Sequence, residues 1–339
     1  MIPLTPKEVV IRIARQLLGE SRVHDYLIKR GIGLRQLENG YFENDAENGA
    51  APSKQQLIFM ADGKWMHGGI TDRLRGMASA YRFATTHNLD FKIFHNSPFS
   101  LQEVLLPNKV DWTIDEKQIS HNCSVAKPVL LYREDFNNDS ALERQLDSKH
   151  EQFHLYSCVD TLGEKFPEYF NELFKPSPLL EQQLNYYGEI LGTNYSSYSF
   201  RFQNKFGDFK EFKFKALSEN KKQKLLNAAL QALQREIALA ESQDGSDVHK
   251  ILVTADSPMF LAEAAKLPNV VTVKGESIHI DFNNSKKASD YLKSFTEFFL
   301  ISRAQSAKLF HSAKFKTYPS NFPKYAALLG NVPYKVVEG

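Results

Sequence analysis

The sequence predicts an α/β fold made of two domains, each built on a parallel sheet. Two runs of alternating strands and helices support this, one beginning at Leu57 and the other near Gly192. In the first run the strands Leu57–Ala61 and Phe91–His95 flank the helix Met77–Ala84, and strand–helix–strand units are typical of parallel sheets. A length of 339 residues also exceeds what one core usually holds. Two such domains imply a cleft, with ligands beyond the carboxyl ends of the strands.

The first 56 residues are predicted to form a helical extension and a linker. Pro6–Leu18 has its apolar residues at helical spacing, Val23–Arg30 gives a second helix, and the polar stretch Glu38–Gln55 follows. Both helices carry several Lys and Arg residues. A basic start of this kind either binds an anionic membrane surface or is merely solvated or packed, and the sequence leaves both interpretations open.

The N-terminal domain is expected to cover residues 57–190 and the C-terminal domain residues 191–339. The first contains a loop, Phe99–Trp112, and further strands and helices predicted at Pro128–Tyr132, His154–Val159, Phe166–Phe174 and Leu179–Leu191. In the second, strands and helices are predicted, in order, at Tyr198–Phe202, Leu217–Leu239, Lys250–Thr254, Pro258–Ala265, Val270–Val273, Ile278–Asp281, Lys286–Ala304, Ala307–His311, Asn321–Leu329 and Pro333–Val337.

Composition and charge argue against several classes of protein. The formal net charge of +2, with both signs interspersed, does not give the basic stripe of a nucleic-acid-binding protein. Two cysteines, Cys123 and Cys158, cannot build a disulfide framework or a four-ligand zinc site. No stretch resembles a signal peptide or a transmembrane helix. We therefore expect a cytoplasmic location, peripheral at the inner face of the membrane if the basic N-terminus binds there. The sequence does not specify an oligomeric state.

The stretch His67–Met77, directly after the first strand, is a candidate ligand-binding turn. Gly68 and Gly69 would let a ligand approach the backbone, and the helix that follows would offer free N–H groups. Asp72, Arg73 and Arg75 follow the glycines, and the two guanidinium groups are suited to phosphate or sugar oxygens. A tight turn with solvated arginines is the alternative, because short glycine motifs often match by chance.

Polar residues also follow the strands of the C-terminal domain. Asp256 and Ser257 either cap the next helix or bind a base edge or ribose hydroxyl. Arg201 lies between two phenylalanines, and a charge among apolar residues needs an anion, either a structural carboxylate or a ligand phosphate. Ser312 and Ser320 are either loop and capping residues or, with the N–H groups of the following helix, phosphate ligands.

Glu297 lies within an aromatic run and either occupies the polar face of its helix or has a role in a site. No metal site is predicted, because the histidines near strands and turns show no metal-ligand spacing: His67, His95, His279 and His311. Walker, Gly-x-Ser-x-Gly and Gly-x-Gly-x-x-Gly motifs are absent from the sequence, which argues against ATPases, esterases and dinucleotide-binding proteins.

Five segments, in this order and spacing, resemble the fucosyltransferases of the α1,2, α1,6 and protein-O-fucosyltransferase superfamily. They correspond to that group's glycine turn, His-x-Arg strand, strand-Asp-Asp/Ser turn, acidic–aromatic helix and closing Ser-x-Phe-x-x-Ala-Ala motif. In this chain they are Gly68–Gly76, Phe200–Phe202, Thr254–Pro258, Phe295–Phe299 and Ser320–Gly330. The resemblance extends over roughly residues 57–337. It implies a GT-B fold, with two Rossmann-like domains facing each other across a cleft.

The resemblance also implies an inverting glycosyltransferase that needs no metal and no cofactor besides its nucleotide-sugar donor. The donor, by default GDP-fucose, would be bound mainly by the C-terminal domain and its sugar transferred to a glycan acceptor during surface polysaccharide synthesis. By position, Arg201 would neutralise the β-phosphate, Asp256 with Ser257 would contact the base or ribose, and Glu297 would support that pocket.

The remaining residues carried over by position concern the phosphates and the transferred sugar. Ser320 and the amides of Asn321 and Phe322, with Ser312 nearby, would hold the diphosphate. Gly68, Gly69, Asp72 and Arg73 would face the sugar, and Asp72 is the candidate general base. The chain departs from the pattern at Phe200, where the group has His, and at Phe202–Gln203. Another nucleotide sugar, or a non-catalytic nucleotide- or glycan-binding protein, therefore stays an alternative.

Overall fold

The computed structural model describes residues 32–43, 54–131, 139–209, 215–243, 249–282 and 285–339. The chain divides into two compact units. Unit 1 contains the described residues up to His67, together with Arg75–His95 and Trp112–Thr161. Unit 2 contains Gly68–Leu74, Asn96–Asp111 and the described residues of Leu162–Gly339. The predicted helices Pro6–Leu18 and Val23–Arg30 lie outside the described residues.

In the described residues the strands are β1 (Gln56–Ala61), β2 (Asp90–His95), β3 (Leu105–Pro107), β4 (Ala126–Leu131), β5 (Gln152–Ser157), β6 (Phe174–Pro176), β7 (Tyr195–Phe200), β8 (Lys250–Ala255), β9 (Val270–Val271), β10 (Ala307–His311) and β11 (Tyr334–Glu338). The α-helices are α1 (Ile32–Glu38), α2 (Ile70–Thr86), α3 (Ser140–Glu143), α4 (Phe166–Leu173), α5 (Pro178–Leu191), α6 (Glu219–Gln243), α7 (Pro258–Ala264), α8 (Leu292–Ile301) and α9 (Asn321–Leu329).

Unit 1 is built on four parallel strands in the order β2-β1-β5-β4. The central strand β1 is buried on both faces from Leu57 to Ala61, as expected for a parallel strand covered on both sides. Leu57 lies in register with Phe91 of β2 and Phe153 of β5. On one face Ile58 and Met60 belong to a core cluster that also contains a residue of α1 and a buried tryptophan: Leu37 and Trp65.

Unit 2 is built on five parallel strands in the order β11-β10-β7-β8-β9, and β3 and β6 form a separate antiparallel pair. β7 is central, and its Tyr198 and Phe200 pack with Phe260 of α7 and Phe310 of β10. Because the strands are parallel, the turns that follow β10, β7 and β8 lie side by side at one edge of the sheet.

The division between units differs from the domain boundary near residue 190 that the sequence suggests. Residues 162–190, placed in the N-terminal domain by the sequence, belong to unit 2. The cause is aromatic packing: Phe166 lies edge-on to Tyr325 of α9, with ring centroids 5.2 Å apart, and Phe170 lies 6.0 Å from Phe299 of α8. The hydroxyl of Tyr187 in α5 also accepts the Lys274 N–H.

Most predicted strands and helices are present, with ends shifted by a few residues. α2 begins at Ile70, seven residues before the predicted helix, so Arg73 and Arg75 are helical. The predicted helix Lys286–Ala304 is shorter, because a 3-10 turn at Ala288–Asp290 precedes α8. Phe99–Trp112, predicted as a loop, includes a 3-10 turn and β3.

Candidate functional site

Three polar turns meet at the carboxyl edge of the sheet in unit 2. Arg201 follows β7, Asp256 and Ser257 follow β8, and Ser312 follows β10. Since β7 lies between β10 and β8, the structure brings these sequence-predicted residues to one edge. In parallel α/β sheets this is the edge at which ligands bind.

The Asp256 carboxylate organises the turn after β7. Its Oδ2 accepts from Arg201 Nη1 at 2.7 Å and from the Gln203 N–H at 2.6 Å, and its Oδ1 accepts from the Phe202 N–H at 2.8 Å. Gln203 has a φ of +58°, a left-handed conformation that these bonds support. The anion beside Arg201 is therefore a structural carboxylate, which is one of the two alternatives the sequence offers.

Burial raises the pKa of Asp256, while Arg201 and the two backbone N–H groups lower it. The side chain of Asp256 is 6% exposed, but that of Arg201 is 20% exposed and its guanidinium carbon lies 5.0 Å from the centre of the Phe209 ring. Arg201 is thus held by Asp256 and the ring, while part of its side chain reaches solvent.

Ser257 is the N-cap of α7. Its hydroxyl accepts the Phe260 N–H and donates to Asp208 Oδ2, which also accepts the Met259 N–H. Ser257 is fully buried. The capping interpretation of Ser257 therefore describes this structure, and its predicted contact with the nucleotide stays a prediction.

The glycine turn is tightly constrained in unit 2. Gly68 has a φ of +81°, and a Cβ there would lie 2.6 Å from Asp72 Oδ2, so a side chain would be strained and would clash. The same Asp72 oxygen accepts the Gly69 N–H at 3.1 Å, near the start of α2. Asp72, the candidate base, thus holds the turn in this structure.

Asp281 binds this turn, a contact that sequence patterns did not predict. Its Oδ2 accepts the Gly68 N–H and its Oδ1 accepts from Arg73 Nη2, both at 2.6 Å. Arg73 Nη1 also donates to the Ser97 carbonyl at 3.1 Å. The Arg73 and Asp281 side chains are 7% and 3% exposed. Arg73, expected to face the donor sugar, is therefore in a buried ion pair here.

The strand predicted at Ile278–Asp281 is wrong, because this segment is irregular chain that ends in a turn. Ser277 Oγ donates to the carbonyl of Ala255, the last residue of β8, at 2.8 Å. Asp281 is bound at the glycine turn instead of a sheet ladder. Isoleucine alternates with His279 and Asp281 here, and such alternation is typical of a strand. For this reason the sequence pattern did not identify these two residues as candidates for the site.

His279 lies close enough to Arg201 and Arg73 for both charges to affect it. Burial, followed by the charges of Arg201 and Arg73, lowers the pKa of His279 to about 3. Its Nδ1 accepts the Asp281 N–H at 3.3 Å, and its ring packs 4.6 Å from that of Phe282. The imidazole is therefore neutral at pH 7, and the two arginines that act on it each have a carboxylate partner.

Glu297 is not on a solvated helix face. It is buried and forms an ion pair with Lys293, one turn earlier in α8, which is equally buried. Burial raises the pKa of Glu297 and the Lys293 charge lowers it. The helix is buried on nearly all sides, polar residues included, and this explains why the amphipathic pattern failed there.

Ser312 and Ser320 differ in their surroundings. Ser312 is fully buried and its Oγ has no hydrogen-bond partner among the described residues, while its N–H donates to Thr317 Oγ1. Ser320 is the N-cap of α9 and accepts the Phe322 N–H at 3.2 Å. Asn321 is exposed, and the Phe322 ring packs on Phe298. Their predicted contacts with a diphosphate stay predictions.

This edge offers cationic and neutral donors to an anion. Arg201 provides partly exposed charge, and the His279 imidazole is within electrostatic range of both Arg201 and Arg73. In the described parts of the chain, no group of three or more His, Cys, Asp or Glu residues is placed to hold a metal ion. None of the described helices combines the length and hydropathy needed to cross a membrane.

The two parallel-sheet units give the chain the α/β GT-B fold class of fucosyltransferases. A NodZ α-1,6-fucosyltransferase structure soaked with GDP-fucose is similar, with a TM-score of 0.53 and 14% identity, over 84% of this chain and 95% of NodZ. NodZ from Bradyrhizobium gives 0.52 and 14%, over 85% and 96%. NodZ co-crystallised with GDP gives 0.52 and 15%, over 85% and 95%. These similarities confirm the predicted fold. The sequence matches no protein-family model and no curated protein sequence.

Proposed function

We propose that this protein is a glycosyltransferase that uses a GDP-sugar, with GDP-fucose as the first candidate donor. The observation that supports this most directly is Arg201, held by Asp256 at the carboxyl edge of β7. The fold is shared with NodZ structures that were soaked with GDP-fucose or co-crystallised with GDP. A fold alone does not define a reaction, so the residues at this edge are what the proposal depends on.

Cleavage of the sugar–phosphate bond builds negative charge on the leaving diphosphate. Arg201 would neutralise that charge without a metal, and N–H groups at the start of α9, beside Ser320, would bind the phosphates. Asp256 would keep Arg201 in position. In an inverting reaction a base accepts the proton of the acceptor hydroxyl, and Asp72 is the candidate.

The acceptor would be a glycan, in keeping with surface polysaccharide synthesis, and no nucleic acid would be involved. Peripheral membrane contact through the basic N-terminus, at the cytoplasmic face, belongs to the same proposal. Two alternatives to a GDP-fucose transferase remain. The donor is a different nucleotide sugar, or the protein binds a nucleotide without transferring a sugar.

Thermal unfolding with and without nucleotide tests the proposal. GDP should raise the melting temperature of the wild type, and UDP and CMP should not. Arg201→Ala should weaken GDP binding roughly 10- to 100-fold, because a hydrogen bond to a charged group is lost, and should remove the GDP-dependent shift. The control is Arg82→Ala, which removes a guanidinium of equal exposure, 20%, paired with Asp139 in unit 1.

Turnover then separates an enzyme from a binding protein. Release of GDP from GDP-fucose, accelerated by a glycan acceptor and unchanged by EDTA, would support the transferase. GDP binding without release would favour the binding protein. An equal GDP shift in Arg201→Ala and wild type would contradict the site itself.

A further inference from the structure

His279 is a polar group at the candidate site to which no predicted role was assigned. It reaches this edge because Ser277 is tied to the end of β8 and Asp281 to the glycine turn. The segment between these two anchors therefore has little freedom. Arg73 and Arg201, on different elements, both act electrostatically on the imidazole.

One hydrogen bond fixes the tautomer of His279. Nδ1 faces the Asp281 N–H, a backbone donor, so Nδ1 must be the acceptor. In a neutral imidazole the proton then sits on Nε2. Within the described residues Nε2 makes no hydrogen bond, and it is not among the atoms sealed from solvent. The ring therefore presents an N–H donor that no described residue accepts from.

The charges near this donor favour an anion. Arg201 and Arg73 are cationic, and their carboxylates, Asp256 and Asp281, are each bound by backbone N–H groups as well. Both carboxylates are thus oriented by the fold, and neither accepts from His279 Nε2. An incoming anion could bind to the imidazole N–H and to the outward part of Arg201 together.

We infer that His279 donates its Nε2–H to the diphosphate of the nucleotide sugar, beside Arg201. This inference rests on the proposed function and assigns a further binding residue to the same site. A neutral donor binds the diphosphate before and after bond cleavage without exchanging a proton. The low pKa of His279 keeps it in that form at neutral pH.

The test compares GDP with GMP by titration calorimetry. In wild type both should bind, and GDP more tightly. His279→Leu should weaken GDP binding roughly tenfold and GMP binding less than about twofold, because only GDP carries the β-phosphate. His279→Gln, whose amide places an N–H near the position of Nε2, should recover most of the loss.

His249→Leu is the matched control. His249 lies in the same unit at the amino end of β8, where its ring nitrogens contact Asn194 and Ser196. That variant should bind GDP as the wild type does. Equal loss of GDP and GMP in His279→Leu, or no loss of either, would overturn the inference. A wild type that binds no GDP would instead contradict the proposed function.

A spectroscopic readout does not depend on the stability of the variants. In protein with ¹⁵N-labelled histidine, His279 should appear as the Nε2–H tautomer, and saturating GDP should shift its Nε2 resonance. GDP should also raise the pKa of His279, because the anion offsets the two arginines. An unchanged resonance at saturation would exclude contact with the diphosphate.

Discussion

His154 in unit 1 and His279 in unit 2 are both imidazoles whose pKa falls to about 3, yet their surroundings differ. His154 is fully buried, and both of its nitrogens are bonded to neutral groups, the Tyr41 hydroxyl at 2.6 Å and Gln152 Oε1 at 3.1 Å. His279 has one nitrogen bonded and two arginines nearby. Burial is the largest cause of the shift in both, so a low pKa alone does not identify a functional residue.

The difference lies in how the hydrogen-bonding capacity is used. The Ser120 N–H donates to Gln152 Oε1, so His154 Nε2 must also donate there and Nδ1 must accept from Tyr41. Both ring nitrogens of His154 therefore have hydrogen-bond partners within unit 1. The Nε2–H of His279 has no acceptor among the described residues, and we assign it to the ligand. We therefore assign a structural role to His154 and a binding role to His279.

The largest expected effect concerns the charges around His279. Asp281→Ala should destabilise unit 2 by about 3–5 kcal/mol, because it leaves the Arg73 guanidinium buried without its carboxylate. The matched change in unit 1 is Asp139→Ala, which frees Arg82 from a pair about one-fifth exposed on each side. It should cost about 1 kcal/mol or less. Urea unfolding followed by circular dichroism measures both, and equal costs would refute the contrast.

The next effect is the pH dependence of unit 1. The pKa of His154 is about 3 in the folded protein and about 6.5 when unfolded. As the pH falls, the unfolded chain therefore binds a proton at this histidine before the folded protein does. The contribution of neutral His154 to the free energy of unfolding is complete above pH 6.5 and is lost as the pH falls towards 3. At pH 4.5 the loss should be about 3 kcal/mol.

His154→Gln tests this, since it removes the titrating group. The two tryptophans, Trp65 and Trp112, both lie in unit 1, so their fluorescence follows the unfolding of that unit. Between pH 7 and 4.5 the variant should lose about 3 kcal/mol less stability than the wild type, whatever its stability at pH 7. If the free energy of unfolding fell equally with pH in the two proteins, His154 would not be the cause of the loss of stability in acid.

Sequence patterns were sufficient where one local rule decides the structure. The apolar run of β1, the Ser257–Pro258 cap of α7 and the Gly68 turn all follow from short-range rules. The ion-pair partners of Arg201 and Arg73 do not follow from short-range rules, because Asp256 and Asp281 are 55 and 208 residues away along the chain. The alternation at Ile278–Asp281 was interpreted as a strand because two anchoring contacts distant in sequence decide its conformation. Long-range ion pairs were therefore what the sequence could not supply.

The smallest effect distinguishes a cap from a ligand-binding residue. Ser257 and Ser320 are both N-caps, and alanine at either should cost about 1 kcal/mol of stability. Ser257 is fully buried, and its hydroxyl is already bonded to Asp208 and to the Phe260 N–H. Ser320 is only half-buried, and its hydroxyl holds the Phe322 N–H alone.

If Ser320 holds the diphosphate, Ser320→Ala should also weaken GDP binding roughly fivefold, because one hydrogen bond is lost. Ser257→Ala should leave GDP binding unchanged while costing the same stability. Measuring unfolding free energy and GDP affinity on both variants separates the two roles, since the stability loss is common to both. Equal GDP affinity in the two variants would restrict Ser320 to capping α9. The phosphate contacts proposed for unit 2 would then be Arg201, His279 and the N–H groups at the start of α9, without the Ser320 hydroxyl.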